Sequence, residues 1–188
     1  MNHHDLAPSP WIARFAQLVP AGARVLDVAA GHGRHARFFA GRGAQVLAVD
    51  RDAAALSSFA GVTGITTRVA DLEAGGWPLA GATFDAIVVV NYLHRPLFPH
   101  LRAALAPAGV LLYETFAMGN EAYGRPANPD FLLGRDELLT VAALPVPLTV
   151  VAFEQGLCGD AARPAVVQRL AAIGAAAAWP ARVAPADG

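Results

Sequence analysis

Three acids punctuate three successive apolar runs in the first half of the chain. Asp27 lies inside Val25-Leu26-Asp27-Val28, Asp50 closes Gln45-Val46-Leu47-Ala48-Val49, and Asp71 closes Thr66-Thr67-Arg68-Val69-Ala70. Between the first two runs comes a turn of small residues, Ala29-Ala30-Gly31-His32-Gly33, and then a helix-like segment from Arg34. Strand, Gly-rich turn and helix form the frame that brings a nucleotide-like ligand against bare backbone. Gly31 and Gly33 permit positive φ and put no Cβ in the way of a ligand. A carboxylate at the tip of the second strand can accept both hydroxyls of a ribose.

The glycine pattern alone has two readings. Gly31-His32-Gly33-Arg34-His35-Ala36 also fits the G-x-G-x-x-A fingerprint of a nicotinamide-dependent oxidoreductase, and Asp50 lies at a suitable distance for that as well. Asp27 and Asp71 separate the two. Asp27 stands four residues before Gly31, where a dinucleotide fold has an apolar residue. An acid there can hold the turn and face the amino group of an amino-acid-bearing ligand. Asp71 can accept from the exocyclic amine of adenine. Amine, ribose and adenine together describe S-adenosylmethionine.

On these residues the chain resembles the class I S-adenosylmethionine-dependent methyltransferases. Asp27-Val28-Ala29-Ala30-Gly31-His32-Gly33 is similar to their motif D-x-G-x-G-x-G, with Asp50 and Asp71 as the acids closing strands two and three. Ala29 replaces the first glycine, a mild change if the residue needs only ordinary φ. The resemblance implies an α/β, Rossmann-like, doubly wound and mostly parallel seven-stranded sheet with a C-terminal antiparallel hairpin. It implies a cofactor set of Asp27, Ala29, Gly31, Gly33, Asp50, Arg51, Asp71, Leu72 and Asn91. His32 is expected to present only its backbone. Two rivals remain: the oxidoreductase, disfavoured by the lack of a second mononucleotide half, and a non-enzymatic S-adenosylmethionine-binding module.

The acceptor must then lie beside the ends of strands four and five. His94, in Asn91-Tyr92-Leu93-His94-Arg95, has the residue type of a general base, or it caps the helix that follows. Glu114 can bind an acceptor amine or orient His94, or else pair with an arginine such as Arg125. Tyr92 and Tyr123 can wall the pocket or simply pack. Arg95, Asn120, Tyr123 and Arg125 are the expected substrate contacts. Arg34, His35 and Arg37 read as a solvated helix face more readily than as a phosphate site. Tyr113-Glu114-Thr115-Phe116, Asn128-Pro129, Phe131-Leu132-Leu133 and Glu137-Leu138 look like bacterial methyltransferases of the tellurite-resistance type, which suggests a small, soft or thiol-like acceptor. No Asn/Asp-Pro-Pro-Tyr follows strand four and no Pro-Cys pair occurs there, so amino groups of nucleic-acid bases and cytosine C5 are disfavoured. Asn91 stands without the acids that metal-assisted relatives use, and no metal is expected.

The elements that must position these residues follow from the pattern of apolar runs. Strands are expected over 24–28, 45–49, 65–70, 84–90 and 109–115, with helices over 34–42, 52–59 and 99–105 between them. The run Phe84–Val90 has the continuous apolar character of a central parallel strand. Ser9-Pro10-Trp11 reads as a helix start with Ser9 as N-cap. Residues 117–134, rich in Gly, Pro and Asn, read as a lid loop. A helix over 135–142 and strands over 148–154 and 165–173 close one domain of residues 1–173, and the tail 174–188 is expected to fray.

With 188 residues, 55% of them hydrophobic and 15% charged, the chain can bury a sizeable core. No apolar run is long enough to span a membrane, and the N-terminus shows no secretory pattern. A net charge of −1 gives no pull toward nucleic acid. All 14 basic residues are arginine and Cys158 is the only cysteine. A cytoplasmic enzyme acting on a small molecule is the expectation.

Overall fold

The computed structural model describes residues 7–159 and 163–183. Seven strands form one sheet: β1 (Arg24–Val28), β2 (Gln45–Asp50), β3 (Ile65–Val69), β4 (Phe84–Val90), β5 (Leu105–Phe116), β6 (Thr149–Cys158) and β7 (Ala165–Ile173). Their order is β3-β2-β1-β4-β5-β7-β6. The first five are parallel, whereas β7 runs antiparallel to both β5 and β6. Five α-helices accompany them among the described residues: α1 (Pro10–Phe15), α2 (Arg34–Gly41), α3 (Ala53–Ser57), α4 (Phe98–Ala104) and α5 (Glu137–Ala143). No helix among the described residues is long and apolar enough to cross a membrane.

Alternation along the strands divides the core in two. Val25, Ala86, Val88 and Leu112 face α1, α2 and α3, where Ile12, Phe15, Phe39 and Phe59 are buried. Leu26, Ile87, Val89 and Leu111 face α4 and α5, where Leu101 and Leu138 are buried. Both faces of β4 are therefore covered, as its unbroken apolar run requires. Each fully buried Phe or Leu contributes about 1.5–3 kcal/mol over an exposed one.

Four expectations shift. Strand β5 begins at Leu105, so α4 ends one residue early. Strand β6 continues to Cys158, past the expected Glu154, because β7 supplies partners along its whole length. The loop over 117–134 is tethered at both ends: Ala117 pairs with Leu133, and the Met118 and Leu133 N–H groups donate to Leu133 and Phe116 carbonyls at 2.9 and 3.0 Å. The tail is held where fraying was expected. The Gly174 N–H donates to Gly109 O at 2.8 Å and the Ala176 N–H to Pro107 O at 3.0 Å, and Ala177 packs against the core. A Cβ on Gly174 would lie 2.2 Å from the Pro107 oxygen, so only glycine fits this close approach. Residues 184–188 lie outside the described chain.

Candidate functional site

The turn after β1 is held by the neighbouring strand. Ala30 donates its N–H to Val49 O at 3.0 Å. The Asp50 carboxylate accepts the Gly31 N–H on Oδ2 at 2.7 Å and the Asp52 N–H on Oδ1 at 2.8 Å. Asp52 in turn caps α3 by accepting from Ala54 and Ala55. Ala29, Gly31 and Gly33 have φ of 53°, 53° and 74°. The expectation that Ala29 needs only ordinary φ is therefore corrected: the loop requires left-handed backbone there, which costs an alanine roughly 1–2 kcal/mol. Gly33 is needed for a second reason, since a Cβ would lie 2.7 Å from the Phe59 ring. At Gly31 a Cβ would enter open space, the side from which a ligand can approach backbone.

Asp27 sits beneath this turn and is 1% exposed. Burial raises its pKa to about 7, against the lowering effect of a hydrogen bond from the Ala36 backbone. Its Oδ2 is buried with no hydrogen-bond partner among the described residues. The solvated-face reading of the α2 start fails at His35, which is 4% exposed. Burial lowers the His35 pKa to about 3, and the neutral Nε2 accepts the Ser9 N–H at 3.2 Å. Arg37 donates to Ser58 O at 2.9 Å and covers the Phe59 ring.

Glu114 also departs from its expected place. Its Oε2 accepts the Ser9 hydroxyl, and its Oε1 pairs with Arg169 at 3.3 Å. It points to the α1 side of the sheet, because β5 alternates and Tyr113 takes the other face. The pairing arginine is Arg169 on β7, a strand neighbour, and not Arg125. Ser9 therefore spends its hydroxyl on Glu114 and makes no side-chain cap on α1.

At the carboxyl ends of the parallel strands lie two adjoining cavities. One, of about 220 Å³, is lined by Ala29, Asp50, Arg51, Asp71 and Leu72, with Glu73 and Tyr92 at its far side. Asp71 shapes this rim by accepting the Glu73 N–H at 2.9 Å. The other, also about 220 Å³, begins at the same Glu73 and Tyr92 and continues past Asn91, Thr115 and Phe116 to Pro126 and Phe131. Asn91, expected with the cofactor, lines this second cavity, in left-handed backbone at φ 56°. Tyr92 thus stands between the two. Its hydroxyl has no well-formed hydrogen bond, while burial, and then the nearby Glu73 carboxylate, raise its pKa. The Tyr113 hydroxyl fixes this segment by donating to Tyr92 O at 3.0 Å.

Several expected substrate contacts hold the loop instead. Arg95 donates to both Glu137 carboxylate oxygens at 2.7 and 2.9 Å and to the Asp130 and Leu132 carbonyls at 3.0 and 2.8 Å. Asn120 is 2% exposed, donates to Pro126 O at 3.0 Å and accepts the Val166 N–H at 3.1 Å. Asn120 is closed to a substrate, and Arg95 spends four of its five N–H donors on the protein. Tyr123 and Arg125 are exposed on the loop and outside the lining, and His94 is half-buried just before the 3-10 turn Arg95–Leu97, also outside it. Glu73 was missed by sequence reasoning. The signal was present in Asp71-Leu72-Glu73: an acid two residues beyond a strand-end acid, joined by a side-chain turn, opens toward the same crevice.

Residues 25–112 match the sequence profile of a methyltransferase domain. No curated protein sequence matches the chain. Among solved structures, the fold is similar to TehB from Haemophilus influenzae, with a TM-score of 0.69, 16% identity, and coverage of 85% of this chain and 60% of that one. An S-adenosylmethionine-dependent methyltransferase from Mesorhizobium loti gives 0.64 and 19% identity over 86% and 96% of the two chains. A TehB-like methyltransferase from Corynebacterium glutamicum gives 0.59 and 19% identity over 86% and 85%.

Proposed function

We propose that the chain is a class I, S-adenosylmethionine-dependent methyltransferase, on the match of residues 25–112 to a methyltransferase domain and the likeness of fold, and that the crevice over β1, β2 and β3 takes S-adenosylmethionine and the adjoining cavity a small-molecule acceptor. The observation that carries this reading is the meeting of the two cavities at Tyr92 and Glu73. The donor set fits the cofactor: an unpartnered buried carboxylate oxygen on Asp27, open space above Gly31, and carboxylates at the tips of β2 and β3.

When bound, S-adenosylmethionine supplies a methyl group on a positively charged sulfur. Asp50 uses its inner lone pairs to hold the turn and its outer ones for the ribose hydroxyls. Asp71 accepts from the adenine amine, and Leu72 and Arg51 line the same crevice. Asp27 supports the turn and offers Oδ2 to the amino group. Transfer needs an in-line approach and exclusion of water. Tyr92 lines both cavities where donor and acceptor would meet, and the tethered loop 117–134 contributes Pro126 and Phe131 to the acceptor side. His94, next in sequence to the cavity-lining Leu93 but outside the lining itself, is the nearest histidine in sequence should the acceptor require a base.

Calorimetry tests the reading. Micromolar binding of S-adenosylmethionine and S-adenosylhomocysteine, about −8 kcal/mol, is expected, with no comparable binding of NAD. Tight NAD binding without an S-adenosylmethionine signal overturns it. Release of S-adenosylhomocysteine over a panel of acceptors separates an enzyme from a binding module.

A further inference from the structure

We propose that the acceptor is a protonated amine carried on a flat apolar body and selected by Glu73. The inference rests on the reading of the second cavity as the acceptor site. Among the described residues, Glu73 is the only charged side chain lining that cavity. No arginine pairs with it among the described ion pairs. The arginine nearest in sequence to Tyr92 is spent: Arg95 is engaged by Glu137 and two carbonyls. Arg125 is exposed and lies outside the lining. Arg51 stands on the cofactor side of Tyr92, in the crevice that shares Glu73, so an oxyanion or thiolate in the second cavity would meet the Glu73 carboxylate with no cation in that cavity's own described lining, which is a repulsive arrangement. A cation would complete the site.

The walls agree with the charge. Tyr92, Phe116 and Phe131 surround the space beyond Glu73. Aromatic faces attract an ammonium through their quadrupole and cover an apolar ring by stacking. The Tyr92 hydroxyl lies beside the Glu73 carboxylate, and a hydroxyl turned toward that carboxylate keeps its own lone pairs as acceptors. The soft-acceptor expectation drawn from the tellurite-resistance resemblance finds no matching group among the described residues of the cavity, whose lining there contains no cysteine, histidine or methionine.

The chemistry balances around one proton. An ammonium has no lone pair, so one N–H proton first passes to Glu73 or to water at the cavity mouth. The freed nitrogen lone pair then forms the N–C bond to the methyl carbon as the C–S bond breaks and leaves its pair on sulfur. The product is a methylated ammonium, which keeps the charge that Glu73 selects.

Binding to the full chain saturated with S-adenosylhomocysteine tests this without turnover. Benzylamine, benzyl alcohol and benzoate share a ring and carry charges of about +1, 0 and −1 at neutral pH. Benzylamine is expected to bind at least about tenfold tighter than the other two. Glu73→Gln, at an exposed position outside the core, should abolish the preference. Phe116→Ala should weaken all three probes and keep their order. Benzoate or benzyl alcohol binding as tightly as benzylamine, no benzylamine binding at millimolar concentration, or a preference that survives Glu73→Gln each overturns the inference. S-adenosylhomocysteine titrated alone distinguishes the two failures: if it binds and benzylamine shows no preference, the amine is wrong and the methyltransferase reading stands.

Discussion

A carboxylate as deeply buried as that of Asp27 costs several kcal/mol if it stays charged, and burial accordingly lifts its pKa from 3.8 to about 7. The stability contributed by the neutral form is complete below the unfolded value of 3.8 and is lost as pH rises through the folded value of about 7. A ligand ammonium reverses the preference, because it favours the charged carboxylate. Binding should then release a proton below that pH. S-adenosylhomocysteine affinity is expected to rise with pH, by up to about tenfold per unit, and to level off above about pH 7. Asp27→Asn should flatten the profile. Parallel profiles for the two proteins, measured by calorimetry, would separate Asp27 from the cofactor. Asp50 carries a different double duty. Its inner lone pairs hold Gly31 and Asp52, so its loss would loosen the turn as well as remove the proposed ribose contact.

The loop between β5 and α5 owes its order to a few side chains, since its tip is largely exposed. Arg95 binds the segment 130–132 to α5 through four donated hydrogen bonds, two of them to the Glu137 carboxylate in a bidentate arrangement. Asn120 closes the other side onto Pro126 and β7. Because Arg95 is partly exposed, Arg95→Ala should cost only about 1–2 kcal/mol of stability. The effect should be local: faster amide hydrogen exchange at Leu132 and Leu133, with S-adenosylhomocysteine affinity unchanged. A tenfold loss of that affinity, with the fold retained, would place Arg95 in the cofactor site instead.

Across the whole molecule, the parallel strands bring their carboxyl ends to one edge, and both cavities open there. A polar network locks the flank of that edge. Ser9 on the α1 terminus joins Glu114 of β5 and His35 of α2, and Glu114 continues through Arg169 of β7 to Glu154 of β6. Removing one partner of such a buried set leaves the others unsatisfied. Glu114→Ala is expected to lower stability by about 2–4 kcal/mol in denaturant titration, with cofactor affinity within a factor of about two. An unaltered midpoint together with lost turnover would return Glu114 to the acceptor chemistry.

The sequence by itself determined the alternation of strands and helices, the doubly wound class, the turn at Ala29–Gly33 and the acids Asp27, Asp50 and Asp71. These rest on local signals: apolar periodicity, chain punctuation by glycine, and short fixed spacings between a strand end and its next residue. Which face a strand residue takes once neighbours pair with it was decided only by tertiary structure. Glu114 and Tyr113 are adjacent in sequence yet lie on opposite sides of the sheet, and the partner of Glu114 is Arg169, set by antiparallel register with β7. Arg95 and Asn120 looked like ligand contacts because Arg95 follows the end of β4 and Asn120 is a polar residue on a long loop. Only the folded loop shows that its own carbonyls consume them. Ala29 is the instructive intermediate case: its position in the motif was legible, but its φ of 53° comes from the Ala30 bond to β2 and the Gly31 bond to Asp50, both of which close across the sheet.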